Sequence, residues 1–267
     1  MRKILLNLLP VLLLSLSFSA CVRERDTDTS LASQLALHAF VYHDASDLAD
    51  DAATKNTGEL LSNYKTRGYC ASITHDKVNG HIEIDFGPAN CMCNDGRYRK
   101  GKIIVDYTGN YSDSGSVHTL SFENYYVDNN LIMGTNIVEN LGHNDSAQTC
   151  YSSVVEGKVL KPTVNDTLYY SARHTITWTE GESTPVWGDD VYEISGTANG
   201  KNENKTYYSM AIIKPLVKEV VGCRYFNKGY IEMQPQGKAM RSIDFGDGHC
   251  DNDATVTINN KTFHIVL

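Results

Sequence analysis

The sequence predicts a mainly β protein, an antiparallel meander in a twisted sheet, open barrel or sandwich, with one N-terminal amphipathic helix. Two patterns predict the sheet. From about Tyr69 the chain breaks into short runs rich in Ile, Val, Tyr and Thr, among them GKIIVDYTG, VHTLSFENYYV, HTITWTEG, VYEISGTA, KTYYSMAII and ATVTIN. Such runs suit a pleated, half-buried surface. Turn-forming residues punctuate them at short distances, as VNGH at 78–81, VDNNL at 127–131, GKNEN at 200–204 and INNK at 258–261. Strands joined by such short turns run antiparallel, and no helical period interrupts them to build a parallel sheet with crossover helices.

The elements follow in chain order. Residues 1–20, MRKILLNLLPVLLLSLSFSA, place Arg2 and Lys3 before an apolar run from Ile4 to Leu14 and then small residues, the layout of a secretory signal peptide. The run is too short for a membrane span of about 20 apolar residues. Residues 21–29 read as a polar tether. From about Ser30 to Asp51, Leu31, Leu35, Ala39 and Tyr42 recur at helical spacing, with Leu37, Phe40, Val41, Leu48 and Ala52 widening the stripe. His43 and Asp47, four residues apart, are expected on the solvated face of that helix. Residues 30–213 then form the helix and a β region, and 214–267 a second unit, continuous with the same sheet. KPLVKE, Lys214 to Glu219, is the strongest break between them.

The second unit repeats part of the first. IDFGPANC, Ile84 to Cys91, returns as IDFGDGHC, Ile243 to Cys250, each followed by a polar turn and an alternating strand. A duplicated three-strand unit accounts for this. The turn at Pro235 to Lys238, centred between Gln236 and Gly237, puts Cys223 opposite Cys250, at a separation a disulfide accepts. In the first copy the Asn79-Gly80 turn puts Cys70 opposite Ala89, so pairing with Cys91 needs a bulge. Cys70 with Cys91 is the expected pair, leaving Cys93 with Cys150. Each closed loop would add about 2 to 4 kcal/mol.

Phe18, Ser19 and Ala20 before Cys21 resemble the bacterial lipoprotein signal, which implies acylation of Cys21 and attachment to a membrane without crossing it. Val22 stands where an aspartate in similar signals favours inner-membrane retention, so the outer membrane is the implied location. IDFG, GKIIVDYTG, FENYYV, TWTEG, KPLV and the TFHI end together resemble bacterial envelope lipoproteins with an Ala/Asp-rich N-terminal helix and a long β region. That resemblance covers most of the mature chain and implies no reaction.

Charge and motifs narrow the function. With 24 Lys and Arg, two of them in the leader, against 32 Asp and Glu, the chain is no partner for nucleic acid. Its densest cationic stretch, Arg97, Arg99, Lys100 and Lys102, reads as a solvated loop. GxSxG and HExxH are absent, and no catalytic residue, cofactor or metal is predicted. Asp244, Asp247, Asp251 and Asp253 lack EF-hand spacing and read as turn residues. Glu180, Glu182, Asp189 and Asp190 flank Trp187 in the most glycosidase-like neighbourhood. Trp178 and Trp187 are the candidate ligand-binding residues, since flat rings stack on sugars or a protein partner. Tyr125-Tyr126, Tyr169-Tyr170 and Tyr207-Tyr208 should each send one ring inward and one outward. The expected role is therefore a lipid-anchored envelope protein that binds a glycan or protein, or acts structurally, without catalysis. A glycan-processing hydrolase would instead show two converging carboxylates, and a carrier of hydrophobic ligands an apolar cavity between helix and sheet.

Overall fold

A computed structural model describes residues 26–54, 71–93, 96–161, 166–184, 189–202, 205–219, 223 and 225–267. Cys21, Cys70 and Trp187 lie outside them. The helix α1 (Ser30–Thr54) is followed by β1 (Ser72–Asp76), β2 (His81–Asp85), β3 (Cys91–Met92), β4 (Tyr98–Tyr107), β5 (Val117–Val127), β6 (Asn130–His143) and β7 (Thr149–Lys161). Then come β8 (Asp166–Glu180), β9 (Val191–Lys201), β10 (Tyr207–Glu219), β11 (Lys228–Pro235), β12 (Arg241–Asp247), β13 (Asp253–Ile258) and β14 (Lys261–Val266). All fourteen strands belong to one antiparallel sheet in chain order, with only β3 off the path as a third partner of β4. The mainly β reading with one N-terminal helix is correct. Asp128-Asn129 and Asn259-Asn260 take positive φ and close two of the hairpins, as their asparagine-rich signals require.

The helix is not a half-buried amphipathic rod. His38, His43 and Asp44 are buried along with Leu35, Val41, Tyr42 and Ala45. A helix buried on all sides needs walls on all sides, and the contacts supply them. His38 Nε2 bonds the Leu168 carbonyl of β8 at 3.2 Å, and Asn136 on β6 donates to Ser46 at 2.8 Å. On another face Asp44 pairs with Arg99 on β4 and Asp47 with Lys218 on β10. In a flat sheet β4 and β10, six spacings apart, would be separated by about 29 Å. Asp44 and Asp47 are less than one helical turn apart, so the sheet curls round α1 until its arms meet along the face bearing Phe40, Asp44 and Asp47. Arg97 sits 4.0 Å from the Phe40 ring centroid and Lys218 4.9 Å, one from each arm. His43 and Asp47 therefore face protein rather than solvent.

Small residues make the fit possible. A Cβ on Gly157 would lie 1.9 Å from the Tyr42 hydroxyl, and that hydroxyl donates to the Met133 carbonyl at 2.8 Å. Gly157 faces Tyr170 across the ladder, Tyr170 faces Gly200, and Gly200 faces Tyr208. Glycine and inward tyrosine alternate across this rung, so each ring covers the backbone beside it.

Several local expectations change. Arg97 and Arg99 are buried rather than solvated, held by Asp128 and Asp44. Lys214–Glu219 is no break: it lies within β10, and Pro215 falls where the pairing to both neighbours is interrupted. A proline lacks the ladder donor and belongs at such a bulge. The end of the tether is docked, because fully buried Arg241 takes the Asp26 carboxylate at 2.9 Å and the Asp28 carbonyl at 3.1 Å. A buried guanidinium without such partners would be costly.

The two IDFG copies share local geometry. Gly87 and Gly246, both at positive φ, donate to the Asp85 and Asp244 side chains at 2.7 and 3.0 Å. Ile84 pairs onward with Ile103, and Ile243 with Val256, completing a three-strand unit at each end of the sheet. Cys223 is bonded to Cys250 with Cα atoms 5.3 Å apart. The ladder beside it pairs Ile231 with Ile243, centring the hairpin on Gly237, half a residue later than expected. A register shift between Lys228 and Tyr230 intervenes before the disulfide. Cys91 is disulfide-bonded, and Cys70, its expected partner, lies outside the described residues. Cys93 and Cys150 do not pair. Cys150 is on β7, three spacings from β4 and about 14 Å across the sheet, beyond disulfide reach.

Candidate functional site

The outer face of β7 to β10 carries an open groove of about 740 Å³. Period-two alternation builds it: β8 sends Tyr170 into the core and Tyr169 outward, and β10 does the same with Tyr208 and Tyr207. Tyr169 is 41% exposed and Tyr207 53%, whereas Tyr170 and Tyr208 are buried. The expected division of each tyrosine pair holds. Lys201 on β9 is the ladder partner of both outward rings. Its ammonium lies 4.8 Å from the Tyr169 centroid and 5.8 Å from that of Tyr207. Two strand spacings, about 9 to 10 Å, separate the rings.

One rung further along, Glu156, Ser171, Asn199, Ser209 and Gln234 line the groove with amides, hydroxyls and a carboxylate. Ser171 donates to Glu156 at 2.6 Å, which fixes that carboxylate. The floor is firm. Tyr208 donates to the Tyr169 carbonyl at 3.3 Å, and burial pushes the Tyr170 and Tyr208 phenols up, so both stay neutral. Flat rings beside planar amides and hydroxyls suit a ligand with apolar faces and hydroxyl edges, which is the chemistry of a sugar.

The residues singled out from sequence lie elsewhere. Trp178 is half-buried at an inward position of β8, its ring 5.5 Å from Tyr192, so it offers no open stacking surface. Asp190 is buried, Glu182 accepts from the Thr149 amide and hydroxyl, and Asp189 accepts from Thr184. The Asp244 to Asp253 cluster lines a groove of about 930 Å³ with Glu193, Lys214 and Lys228. Asp244 and Asp251 accept backbone N–H groups there, while Asp247 and Asp253 bond His249 and His264. No group of three or more metal-ligating side chains occurs among the described residues. A cavity does lie between helix and sheet, lined by Ala36, Leu37, Phe40, Tyr225, Phe226 and Phe245, but its volume is about 200 Å³. Ligand sites usually enclose 300 Å³ or more.

Sequence reasoning placed one ring of each tyrosine pair outside but could not show that β9 brings Lys201 between two of them. No family model, curated protein or solved structure matches the chain.

Proposed function

We propose that this protein is a non-catalytic glycan-binding protein of the bacterial cell envelope, anchored to the outer membrane through acyl chains on Cys21, with the Tyr169–Lys201–Tyr207 groove as its binding surface. One observation carries the binding role: two exposed tyrosines lie in register across three neighbouring strands, on a buried aromatic floor, beside hydroxyl and amide groups. Rings already held in place lose little conformational entropy on binding, and each sugar stacked on one gains from apolar contact. The larger acidic groove has no comparable exposed ring pair, and the cavity beside the helix is small for a lipid. Layout of the leader and its terminal cysteine supports the anchor.

Isothermal titration of the mature chain against a panel of neutral and acidic oligosaccharides tests the binding role. Saccharide binding that the Tyr169→Ala/Tyr207→Ala variant weakens by at least about tenfold, near 1.4 kcal/mol, is the expected result. Binding by neither protein, or equal binding by both, removes the groove from the account. Intact-mass analysis of protein from its native membrane tests the anchor: the expected mass begins at Cys21 and includes acyl chains.

A further inference from the structure

The groove's lining carries one cation, Lys201, and one anion, Glu156, and the outward strip beside it adds Lys158 and Arg173. Outward positions on the three central strands are Val154, Glu156 and Lys158 on β7, Tyr169, Ser171 and Arg173 on β8, and Thr197, Asn199 and Lys201 on β9, joined rung by rung by the ladder. Three are cations and one is an anion, on a chain whose formal charge is −8. The anion, Glu156, already accepts a hydrogen bond from Ser171. Lys158, Arg173 and Lys201 form no ion pair among the described residues. Six other cations do: Arg97, Arg99, Lys102, Lys218, Lys238 and Arg241 each have a carboxylate partner. Lys158 and Lys201 are the ladder partners of Tyr169 on either side, so ring and ammonium alternate as Lys158, Tyr169, Lys201, Tyr207 across four strands.

From this alternation we propose that the groove takes an anionic glycan, with sugar rings on Tyr169 and Tyr207 and carboxylate or sulfate groups against Lys158, Lys201 and Arg173. The proposal rests on the glycan reading above and adds the charge of the ligand. A neutral polysaccharide has no use for three unneutralised cations around a stacking surface. An acidic one, repelled by the chain as a whole, is drawn to the patch where the local sign is reversed. Such contacts between exposed charges are screened by salt.

The test uses matched pairs that differ in charge alone: oligogalacturonate with its methyl ester, and a heparin-derived oligosaccharide with its desulfated form. Calorimetry on the mature chain at 50 mM and 500 mM NaCl should show at least one acidic member bound about tenfold more tightly than its neutral match, the gap narrowing at high salt. Lys158→Gln/Arg173→Gln/Lys201→Gln should bring the pair within about twofold, while Tyr169→Ala/Tyr207→Ala should abolish binding of both. Neutral oligosaccharides bound as well as or better than acidic ones, in a tyrosine-dependent way, overturn the charge assignment and leave the glycan groove standing. Acidic binding that survives the tyrosine substitutions places the anion elsewhere and overturns it too. No saccharide binding of either kind overturns the glycan reading itself.

Discussion

Buried ionisable side chains decide much of this protein's behaviour. His43 and His174 stack with centroids 5.2 Å apart inside the sheet, and burial lowers the His174 ring from its ordinary 6.5 to about 4. His43 is also pushed well down by burial, with His174 and Lys218 adding to the effect. Both rings are neutral in the folded chain near pH 7. Below pH 6.5 the unfolded chain takes up protons that the folded chain refuses, so stability is complete above 6.5 and declines as pH falls toward 4. For His174 alone this amounts to about 3 kcal/mol at the lower limit. Urea unfolding between pH 7.5 and 4 should show the midpoint falling with pH, and His174→Phe should reduce the fall; an unchanged slope would remove His174 as a cause. Asp44 acts in the opposite sense, compensating Arg99 where neither side chain meets solvent. Asp44→Asn leaves that guanidinium without its carboxylate and should cost roughly 3 to 5 kcal/mol in the same assay. A loss under 1 kcal/mol would mean that Arg99 finds another partner.

Among the elements, the clearest dependence is of helix on sheet. Gly157 on β7 leaves room for the Tyr42 ring, so Gly157→Ala must displace either a hydrogen-bonded tyrosine or the strand beneath it. About 1 to 3 kcal/mol is the expected cost, read from denaturant midpoints, and a neutral substitution would show that the ring moves freely. The second IDFG hairpin depends on its staple. Cys223 and Cys250 are 27 residues apart and lie beyond the ends of the β11–β12 ladder, where a register shift has interrupted pairing. Cys223→Ser/Cys250→Ser should lower stability by about 3 to 4 kcal/mol. Amide exchange should then accelerate in β11 and β12 before it does in β7; uniform acceleration would show that the hairpin does not open on its own.

The whole molecule is a sheet wrapped around one helix. Strands β4, β6, β7, β8 and β10 each bond to α1, and the ion pairs of Asp44 and Asp47 join the two arms along one helix face. Deleting residues 26–54 should therefore cost far more than one element, because the inward faces of the strands lose their common partner. The truncated chain should keep far-ultraviolet β signal, lose near-ultraviolet aromatic signal and bind a hydrophobic dye. A truncated chain with native near-ultraviolet spectra would show that the sheet packs without the helix. The same curvature gives the outer face of β7 to β10 its role: inward rings and glycines support the wall from within, and the outward rings are left free to meet a ligand.

Local pattern alone determined the fold class, the helix, the sites of several hairpin turns, the repeated IDFG unit and the Cys223–Cys250 pair. Each depends on residues near one another in sequence: period-two alternation, asparagine and glycine in tight turns, and cysteines placed symmetrically about one turn. Pairing of each strand with the next in order is the default such short connections impose. Tertiary structure alone decided how far the sheet curls. Curling turned the supposed solvated face bearing His43 and Asp47 into an interior, and it buried Arg97 against Phe40 and Arg99 against Asp44, 55 residues away. It also set Tyr169, Lys201 and Tyr207 side by side. Tyrosine alternation said that one ring of each pair would face out, but which outward rings share a rung depends on register, and on the bulges that shift it. Register across three strands is fixed by the packing of the inward rings against the helix, and no short window of sequence contains that information.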